Sequence, residues 1–300
     1  MSTALQSSDQ EARIGLFAGI GAFGIWGFAP LYFKLLGSIN AIEIIAHRIL
    51  WAVMFLFLVL VFRHRGRVFN HIHVSPKTLM ILAGSGLLIG LNWLIFVFAV
   101  NTDRVLSTSL GYFINPLVSV CLGLLVFKEH LNGLQILAVV LAGAGTLHLT
   151  LAVGEFPWIA LSLAFSFGLY GLIRKKVDVG PMVGLFWETL MVLPLALAWL
   201  GWMSYTNQLN GDLSNLGQNL TLMGTGLITV IPLILFAAAV RRLFLSTIGL
   251  MQYIAPSLSF CMAVFIFNEP FGIDHAITFG CIWTGLCLYS YSSWMNRVRV

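Results

Sequence analysis

The chain has 300 residues, of which 59% are hydrophobic and only 9% are charged. Soluble domains carry about 25% charged residues, and a water-soluble fold of this size could not cover its surface with so few charges. The net charge of +5 does not indicate a nucleic-acid partner, because the basic residues lie between apolar runs, where they set membrane topology. The composition excludes a soluble protein and indicates an integral membrane protein surrounded by the lipid bilayer.

Ten apolar runs follow one another along the chain, each long enough for the roughly 20 residues that cross a bilayer as a helix. Lipid offers the backbone no hydrogen bonds, so helices are expected rather than strands. The loops are short, and the polar N-terminus lacks the pattern of a removable signal peptide. The sequence thus predicts an all-α integral membrane protein with ten transmembrane helices, at 14–35, 41–62, 78–100, 105–127, 132–152, 156–174, 181–203, 219–240, 244–267 and 272–294.

The distribution of lysine and arginine predicts the orientation. If the N-terminus is cytoplasmic, thirteen of the sixteen basic residues lie on the cytoplasmic side. Lys34 and Arg104 then fall outside, and Arg48 lies within a run. Because cytoplasmic loops carry an excess of basic residues, both termini are expected in the cytoplasm. The thirteen are Arg13, Arg63, Arg65, Arg67, Lys77, Lys128, Arg174, Lys175, Lys176, Arg241, Arg242, Arg297 and Arg299.

Residues 110–129 recur without a gap as residues 250–269, each copy being an apolar run broken by a proline and closed by a glutamate. Such a repeat predicts two copies of one unit, here 1–150 and 151–300. Five helices per copy is an odd number, so the second copy enters the membrane inverted, as in many secondary transporters that bind solute between the halves. The identical pairs are Leu110/Leu250, Ile114/Ile254, Pro116/Pro256, Ser119/Ser259, Cys121/Cys261, Phe127/Phe267 and Glu129/Glu269.

Ionisable residues inside the runs are the sharpest functional signal, since one at a helix centre costs on the order of 2.5–3.5 kcal/mol on insertion scales. Glu43, His47 and Arg48 lie in the second run, and Glu188 lies in the seventh. In the functional interpretation, Arg48 attracts a carboxylate, and Glu188 meets an amine or carries a proton, which favours a zwitterionic solute. His47 is then a further binding residue, and Glu43 a second candidate for coupling. The alternative is a structural ion pair of Arg48 with Glu188 or Glu43.

Polar and aromatic side chains near the middle of the runs are candidates for a solute pocket, because such pockets are apolar with a few placed polar groups. The alternative for each aromatic residue is ordinary packing, and for each amide a hydrogen bond between helices. Besides the ionisable residues, the predicted binding residues are Trp26, Asn92, Trp93, Tyr112, Asn115, Gln252 and Tyr253.

Prolines inside the runs are candidates for hinges. Each removes a backbone hydrogen bond and frees a carbonyl, which in a membrane must face protein or a watery cavity. Pro116, Pro232 and Pro256 are the predicted hinges, with static kinks as the alternative. Runs 1, 3, 4, 6, 8 and 9 would line the central cavity.

Motifs for other chemistry are missing from the sequence. It holds no GxxxxGK[ST] phosphate loop, and EIIAH at 43–47 lacks the zinc-binding spacing. We therefore expect no ATP-driven step, no metal and no cofactor. The four cysteines fall inside apolar runs and are interpreted as small buried hydrophobes rather than a disulfide or metal set: Cys121, Cys261, Cys281 and Cys287.

Segments along nearly the whole chain resemble the RarD proteins, a subgroup of the EamA-type drug/metabolite transporter superfamily. The resemblance implies a ten-helix permease of the bacterial inner membrane, made of two inverted EamA repeats. The family's repeat-ending glutamate and following polar residue correspond to Glu129 and Gln135, and in the second copy to Glu269 and His275. The segments include IWGFAPLYFKLL (25–36), EIIAHRILW (43–51), GLNWLIFVFAVN (90–101), SLGYFINPL (109–117), ETLMVLP (188–194) and LSTIGLMQYIAPSLSF (245–260).

Together these features predict a secondary transporter, not an enzyme, that moves a small amphiphilic metabolite, amino-acid-like compound or drug. Alternating access is the expected mechanism, by rocking of the two halves, and export is the expected direction. Two other functions stay open. One is a membrane-embedded enzyme on a lipid-linked substrate, with Glu43 and His47 as acid and base. The other is an uncoupled facilitative pore or sensor, in which Glu188 is purely structural.

Overall fold

The computed structural model describes residues 2–63, 72–127, 132–153, 156–211, 214–240, 242 and 251–298. Within these ranges the chain forms ten helices and no strand, in the order and at the places of the ten predicted runs. The helices are α1 (Ser2–Lys34), α2 (Ala41–Arg63), α3 (Pro76–Asn101), α4 (Val105–Phe127), α5 (Gly133–Val153), α6 (Trp158–Lys176), α7 (Pro181–Tyr205), α8 (Leu216–Val240), α9 (Ile254–Phe265) and α10 (Ile273–Val298).

Six of the helices are long and apolar enough to cross a bilayer, judged on the described residues alone: α1, α2, α3, α5, α7 and α8. The apolar parts of α6 and α9 are shorter. Many large apolar side chains point outward along these helices, as expected where lipid rather than water surrounds the protein. The chain is therefore a multi-pass membrane protein.

The helices alternate in direction, so the bundle has two ends. The distal end is the one where α1 finishes. There Lys34 pairs with Asp103 and Tyr32 donates to the carbonyl of Thr221. The proximal end is the one where α2 finishes, and there Arg63 donates to the sulfur of Met182. These contacts join helix ends that lie far apart in the sequence.

The first and second halves of the chain are interleaved. α1 packs on α8 and α9, α2 on α7 and α8, α3 on α6 and α7, α4 on α6 and α9, and α5 on α10. Each helix of the first half therefore packs mainly on helices of the second half. Motion between the halves must shift helices against one another, because the halves do not form separable bundles.

The predicted hinges differ in their surroundings. α8 runs without interruption through Pro232, whereas α9 begins only at Ile254, so Pro256 lies in its first turn. The turn formed by residues 252–253 lies directly before α9, where a proline-freed carbonyl is expected. α4 includes position 116, but the side chain of Pro116 lies outside the described residues.

Glycines allow the closest helix contacts, and Gly86 gives the sharpest test. A Cβ at Gly86 would lie 2.5 Å from the carbonyl oxygen of Glu188, whereas a Cβ at Gly84 would meet nothing within 4 Å. Because the Gly86 obstacle is backbone, we expect Gly86→Ala to push α3 from α7 and destabilise the protein by about 1–3 kcal/mol. Gly84→Ala should be neutral or stabilising by up to about 1 kcal/mol. Thermal unfolding in detergent measures both, and equal melting temperatures would contradict the packing.

Candidate functional site

Arg48 lies inside the bundle, held by four helices. It belongs to α2 and is 6% exposed. Its Nε donates to Oγ1 of Thr229 in α8 at 2.8 Å. The guanidinium carbon lies 4.2 Å from the ring centroid of Trp93 in α3 and 5.6 Å from that of Phe33 in α1. Aromatic faces attract a cation, so these rings hold the guanidinium in a fixed orientation.

Arg48 has no acidic partner among the described residues. The ion pairs there are Lys34–Asp103, His148–Asp274, Arg174–Glu188 and Arg242–Glu11. The two terminal nitrogens of Arg48 make no hydrogen bond to the described part of the chain. No described carboxylate therefore compensates the positive charge of Arg48.

Aromatic rings continue this wall beyond Arg48. Phe33 contacts Phe96 edge to face at 5.9 Å between centroids, and Phe96 contacts Tyr112 at 6.0 Å. Tyr112 also lies edge to face against Phe167, at 6.4 Å. The chain of rings joins α1, α3, α4 and α6. Of the predicted binding residues, Arg48, Trp93 and Tyr112 are thus brought to one place, which we call the Arg48 site.

Glu188 is the fully buried member of a second polar cluster. It lies in α7 with no exposed surface, and one carboxylate oxygen accepts from Ser85 of α3. The other oxygen accepts from the hydroxyl of Tyr170 in α6 at 3.1 Å. Nε of Arg174 lies 3.7 Å from the carboxylate, and Arg174 also donates to the carbonyl of Val179 at 3.1 Å. The counter-ion of Glu188 is therefore Arg174 and not Arg48.

The Arg48 site and the Glu188 cluster lie at different depths. Phe57 of α2 stacks on Phe186 of α7 at 6.2 Å between centroids, which sets the register of the two helices. In that register Arg48 lies about two turns, or roughly 10 Å, closer to the distal end than Glu188. One small zwitterion could not place its carboxylate on Arg48 and its amine on Glu188. The structure does not bring this predicted pair together.

Glu43 forms hydrogen bonds to the loop between α7 and α8. Its carboxylate oxygens accept from the backbone N–H groups of Asn210 and Gly211, each at 2.9 Å, so it anchors the α7–α8 connection to α2. His47 lies one turn further along α2, and its Nδ1 is buried without a hydrogen-bond partner. No hydrogen bond joins Glu43 to His47, which removes the geometry expected of an acid–base pair.

Asn92 and Asn115, the two asparagines among the predicted binding residues, both have an amide oxygen without a hydrogen bond. Nδ2 of Asn92 donates to the carbonyl of Leu163 and to Ser166, at 3.0 and 2.8 Å, so Asn92 joins α3 to α6. Its Oδ1 is buried without a partner, and the same holds for Oδ1 of Asn115. Asn115 lies one turn from Tyr112 on α4. Both amide oxygens are enclosed between helices without a hydrogen-bond partner.

Three predicted binding residues lie away from the Arg48 site. Gln252 is exposed in the turn before α9. Tyr253 stacks on Phe113 at 6.4 Å, in a cluster with α10. Trp26 packs on Phe23 and Phe236 in a separate apolar cluster. A groove of about 630 Å³ lies on the outer face of α1 and α8, and none of the predicted binding residues lines it: Gly24, Ile25, Phe28, Ala29, Leu31, Tyr32, Leu35 and Ile228.

Glu269, the glutamate that closes the second repeat, caps a helix of the first half. Its two oxygens accept from the backbone N–H groups of Val105 and Leu106, at 2.6 and 2.7 Å, which are the first residues of α4. Such N–H groups have no partner within their own helix, and a carboxylate also complements the helix dipole there. Its repeat partner Glu129 lies outside the described residues.

The Glu269 carboxylate predicts a pH effect on stability. Burial raises its pKa above the usual value of 4.5, although the two N–H groups and Lys34 oppose the shift. The folded protein thus binds this proton more readily than the unfolded chain, so the contribution is present below about pH 4.5 and lost as pH rises through the raised pKa. We expect the melting temperature of Glu269→Gln to depend less on pH across this window than that of the parent protein. Parallel pH profiles would contradict the assignment.

Sequence reasoning missed Arg174, Thr229 and Phe33. The sequence places Arg174 among the cytoplasmic basic residues that set topology. In the structure α6 extends to Lys176, and Arg174, near the end of this helix, pairs with Glu188 of α7. Its spacing from Tyr170, one helical turn, was the available signal. Thr229 and Phe33 carried no signal, since one polar hydroxyl and one ring among so many are ordinary. The described residues hold no cluster of His, Cys, Asp and Glu side chains suited to a metal ion.

The fold defines a multi-pass membrane protein with charged side chains in its interior. The sequence pattern of the EamA-like transporter family matches it twice, at residues 13–151 and 157–291, and the chain belongs to this family. A protein of Vibrio cholerae named "Uncharacterized transporter" is 42% identical over 94% of this chain and 93% of its own. "Protein RarD" of Salmonella typhimurium is 41% identical over 93% and 95%.

The resemblance to RarD proteins is thereby confirmed. A crystal structure that is 18% identical superposes with a TM-score of 0.60, over 92% of this chain and 96% of the other. At that identity it bears on the fold alone. The names of the relatives support a membrane transporter, and they leave the solute and the mechanism open.

Proposed function

We propose that the protein is a secondary transporter that moves a small amphiphilic solute by alternating access across the bacterial inner membrane. The observation that carries the proposal is the Arg48 site. A buried cation that no described carboxylate neutralises, oriented by aromatic rings, is costly to keep unless a ligand completes it. The helices that hold it, α1, α2, α3 and α8, come from both halves of the chain.

Two inverted repeats, at 1–150 and 151–300, are part of the proposal, and the helix contacts support them. If α1 to α5 correspond to α6 to α10, the contact of α4 with α6 matches that of α9 with α1, and α3 with α7 matches α8 with α2. Close approaches match residue by residue. A Cβ at Gly27 would meet Leu258, and a Cβ at Gly168, its repeat equivalent, would meet Val118, the equivalent of Leu258.

The contact between α5 and α10 repeats in the same way. A Cβ at Gly145 would lie 3.1 Å from the carbonyl of Thr278. A Cβ at Gly285 would lie 2.8 Å from the carbonyl of Ala138. Gly285 is the repeat equivalent of Gly145, and Thr278 is the repeat equivalent of Ala138, since each lies 140 residues further along the chain. Two related packings of one helix set give outward-open and inward-open states of similar energy, which alternating access requires.

Contacts between the halves join the helices and loops at the distal end. Glu43 holds the α7–α8 loop, Glu269 holds the start of α4, and Tyr32 holds Thr221. With both termini in the cytoplasm, as the basic residues predict, the distal end is the outer one. We propose that these contacts open when the site faces outward. Pro256, in the first turn of α9, is the hinge best placed to move with them.

Glu188 is the proposed coupling residue. Its carboxylate bridges Ser85 of the first half to Arg174 and Tyr170 of the second, near the proximal end. Taking up a proton would remove the charge that holds Arg174, and the contact of α7 with α6 within the second half would loosen. An enzyme using Glu43 and His47 is disfavoured because backbone N–H groups occupy the Glu43 carboxylate. An uncoupled pore is disfavoured by the repeat.

The experiment is solute exchange in proteoliposomes, with labelled amino acids, carboxylic acids and amphiphilic drugs, with and without a pH gradient. Accelerated exchange of one class supports a carrier, and loss of the pH dependence in Glu188→Gln supports proton coupling. Tyr205→Phe, at the exposed distal end of α7, is the matched control. No accelerated exchange by folded protein for any class would count against the transporter. Exchange that ignores pH in both proteins would remove the coupling role.

A further inference from the structure

We infer that the solute held at Arg48 is an organic monoanion, with one carboxylate on an apolar or aromatic body, and that it needs no amino group. The inference rests on the proposed function in one respect, since it takes the Arg48 site to be the solute site. It narrows the solute from amphiphilic compounds in general to one charge class.

The charges around the site carry the inference. Arg48 contributes one positive charge, and no described carboxylate lies within ion-pair distance of it. The two interior carboxylates that sequence reasoning considered as its partners are occupied elsewhere. Glu43 accepts from two backbone N–H groups, and Glu188 is paired with Arg174. A single negative charge on the solute therefore completes the site, while a second positive charge would lack a partner.

The orientation of the guanidinium favours a carboxylate. Because Nε is bound to Thr229, the edge carrying the two terminal nitrogens is the one left unpaired. Two parallel N–H donors match the two oxygens of a carboxylate. A phosphate monoester would carry up to two charges against the one of Arg48, and the excess charge would remain buried.

The walls indicate the rest of the molecule. Trp93, Phe33 and Phe96 are aromatic, and Tyr112 closes the side toward α4. Such walls suit a flat apolar body. The unpartnered acceptors nearby are amide oxygens, among them Oδ1 of Asn115. A neutral amide can accept from a hydroxyl or an N–H group, but it does not neutralise an ammonium.

The test is direct binding to the purified full-length protein in detergent, by calorimetry and by quenching of tryptophan fluorescence. Three probes share one phenyl-bearing carbon skeleton: 3-phenylpropanoate, phenylalanine and 2-phenylethylamine. We expect the acid to bind and the other two to bind about tenfold or more weakly, since their ammonium enters a site with no carboxylate. Arg48→Gln should weaken binding of the acid by about 10- to 100-fold. Arg104→Gln, at an exposed arginine of the distal loop, should bind as the parent does.

Arg48→Lys keeps the proposal testable if Arg48→Gln does not fold, because it retains the charge but loses the paired donors and should bind the acid with intermediate strength. Equal or tighter binding of phenylalanine or 2-phenylethylamine would overturn the monoanion assignment. So would absent binding of the acid, or binding of the acid that ignores Arg48. Failure of the transporter proposal looks different: the acid would bind through Arg48, yet no compound would exchange in proteoliposomes.

Discussion

Arg48→Gln should lower solute exchange in proteoliposomes by roughly 30-fold or more, because truncating a buried charge that binds an ionic partner costs about 2–5 kcal/mol. The physical reason is specific to this site. Arg48 is 6% exposed and forms no ion pair with a described carboxylate. Its removal therefore leaves no described carboxylate without a counter-ion. The variant should therefore remain folded, and its melting temperature should stay close to that of the parent protein or rise.

The control for this prediction is Thr229→Val, which removes the hydrogen bond to Nε but leaves the guanidinium between its rings. We expect a loss of about tenfold or somewhat more in exchange, since a hydrogen bond to a charged group contributes about 1.5 kcal/mol or somewhat more. Normal exchange by Arg48→Gln in the same vesicles would show that Arg48 does not bind the solute. Unfolding of Arg48→Gln would show that the residue has a structural partner.

The buried pair of Arg174 and Glu188 predicts the largest effect on stability. The Glu188 carboxylate has no exposed surface, and Arg174→Leu removes its cation. A buried carboxylate without a cation should destabilise the protein by about 3–5 kcal/mol. Removing both charges, in Arg174→Leu with Glu188→Leu, should recover much of this loss, because replacing a buried ion pair by apolar residues is often nearly neutral. Melting temperatures of the single and double variants measure the coupling.

Glu188→Gln alone should cost less than Arg174→Leu, since the amide can still bond to Ser85 and Tyr170 while Arg174 keeps its bond to the carbonyl of Val179. If the destabilisation of the double variant equals the sum of the two single destabilisations, the side chains of Arg174 and Glu188 do not interact, and the ion pair is not the reason for the effect.

The helices could be predicted from the sequence because each is a long apolar run, and a membrane leaves such a run few other structures. α2 and α4 coincide with their predicted ranges to within a residue. The boundaries of α1 and α10 differ through polar extensions, whereas α9 begins at Ile254, after a turn at 252–253, and not at 244 as predicted. α1 begins at Ser2 and α10 continues to Val298, beyond the apolar parts, since hydropathy marks the part of a helix in lipid and not its end.

The Arg48 site could be predicted only in part. Arg48, Trp93 and Tyr112 lie at similar depth in their helices, and depth is readable from sequence. The direction in which a side chain points from the backbone cannot be read from the sequence. Asn92 is buried within α3, whereas Gln252 is exposed in the turn before α9. Hydrophobic periodicity, the usual guide to facing, is weak where lipid and core are both apolar.

The pairing of the charges was beyond the sequence for a related reason. From the sequence, an ion pair of Arg48 with Glu188 or Glu43 was the alternative to solute binding. The partner of Glu188 is Arg174, from the same half and near the same end. A long flexible side chain such as arginine reaches partners one turn or more away, so its position in the sequence does not fix its head group.

The most direct test of alternating access locks the distal end. Tyr32 of α1 contacts the backbone of Thr221 in α8, between the two halves. In a cysteine-free background, Tyr32→Cys with Thr221→Cys would be bridged by a bis-methanethiosulfonate linker, which forms a reducible disulfide with each cysteine and releases methanesulfinate, and assayed for solute exchange. The same protein without linker, and each single cysteine with linker, are the controls. Exchange should stop on cross-linking and return on reduction. Unchanged exchange by fully cross-linked protein would contradict alternating access through this end.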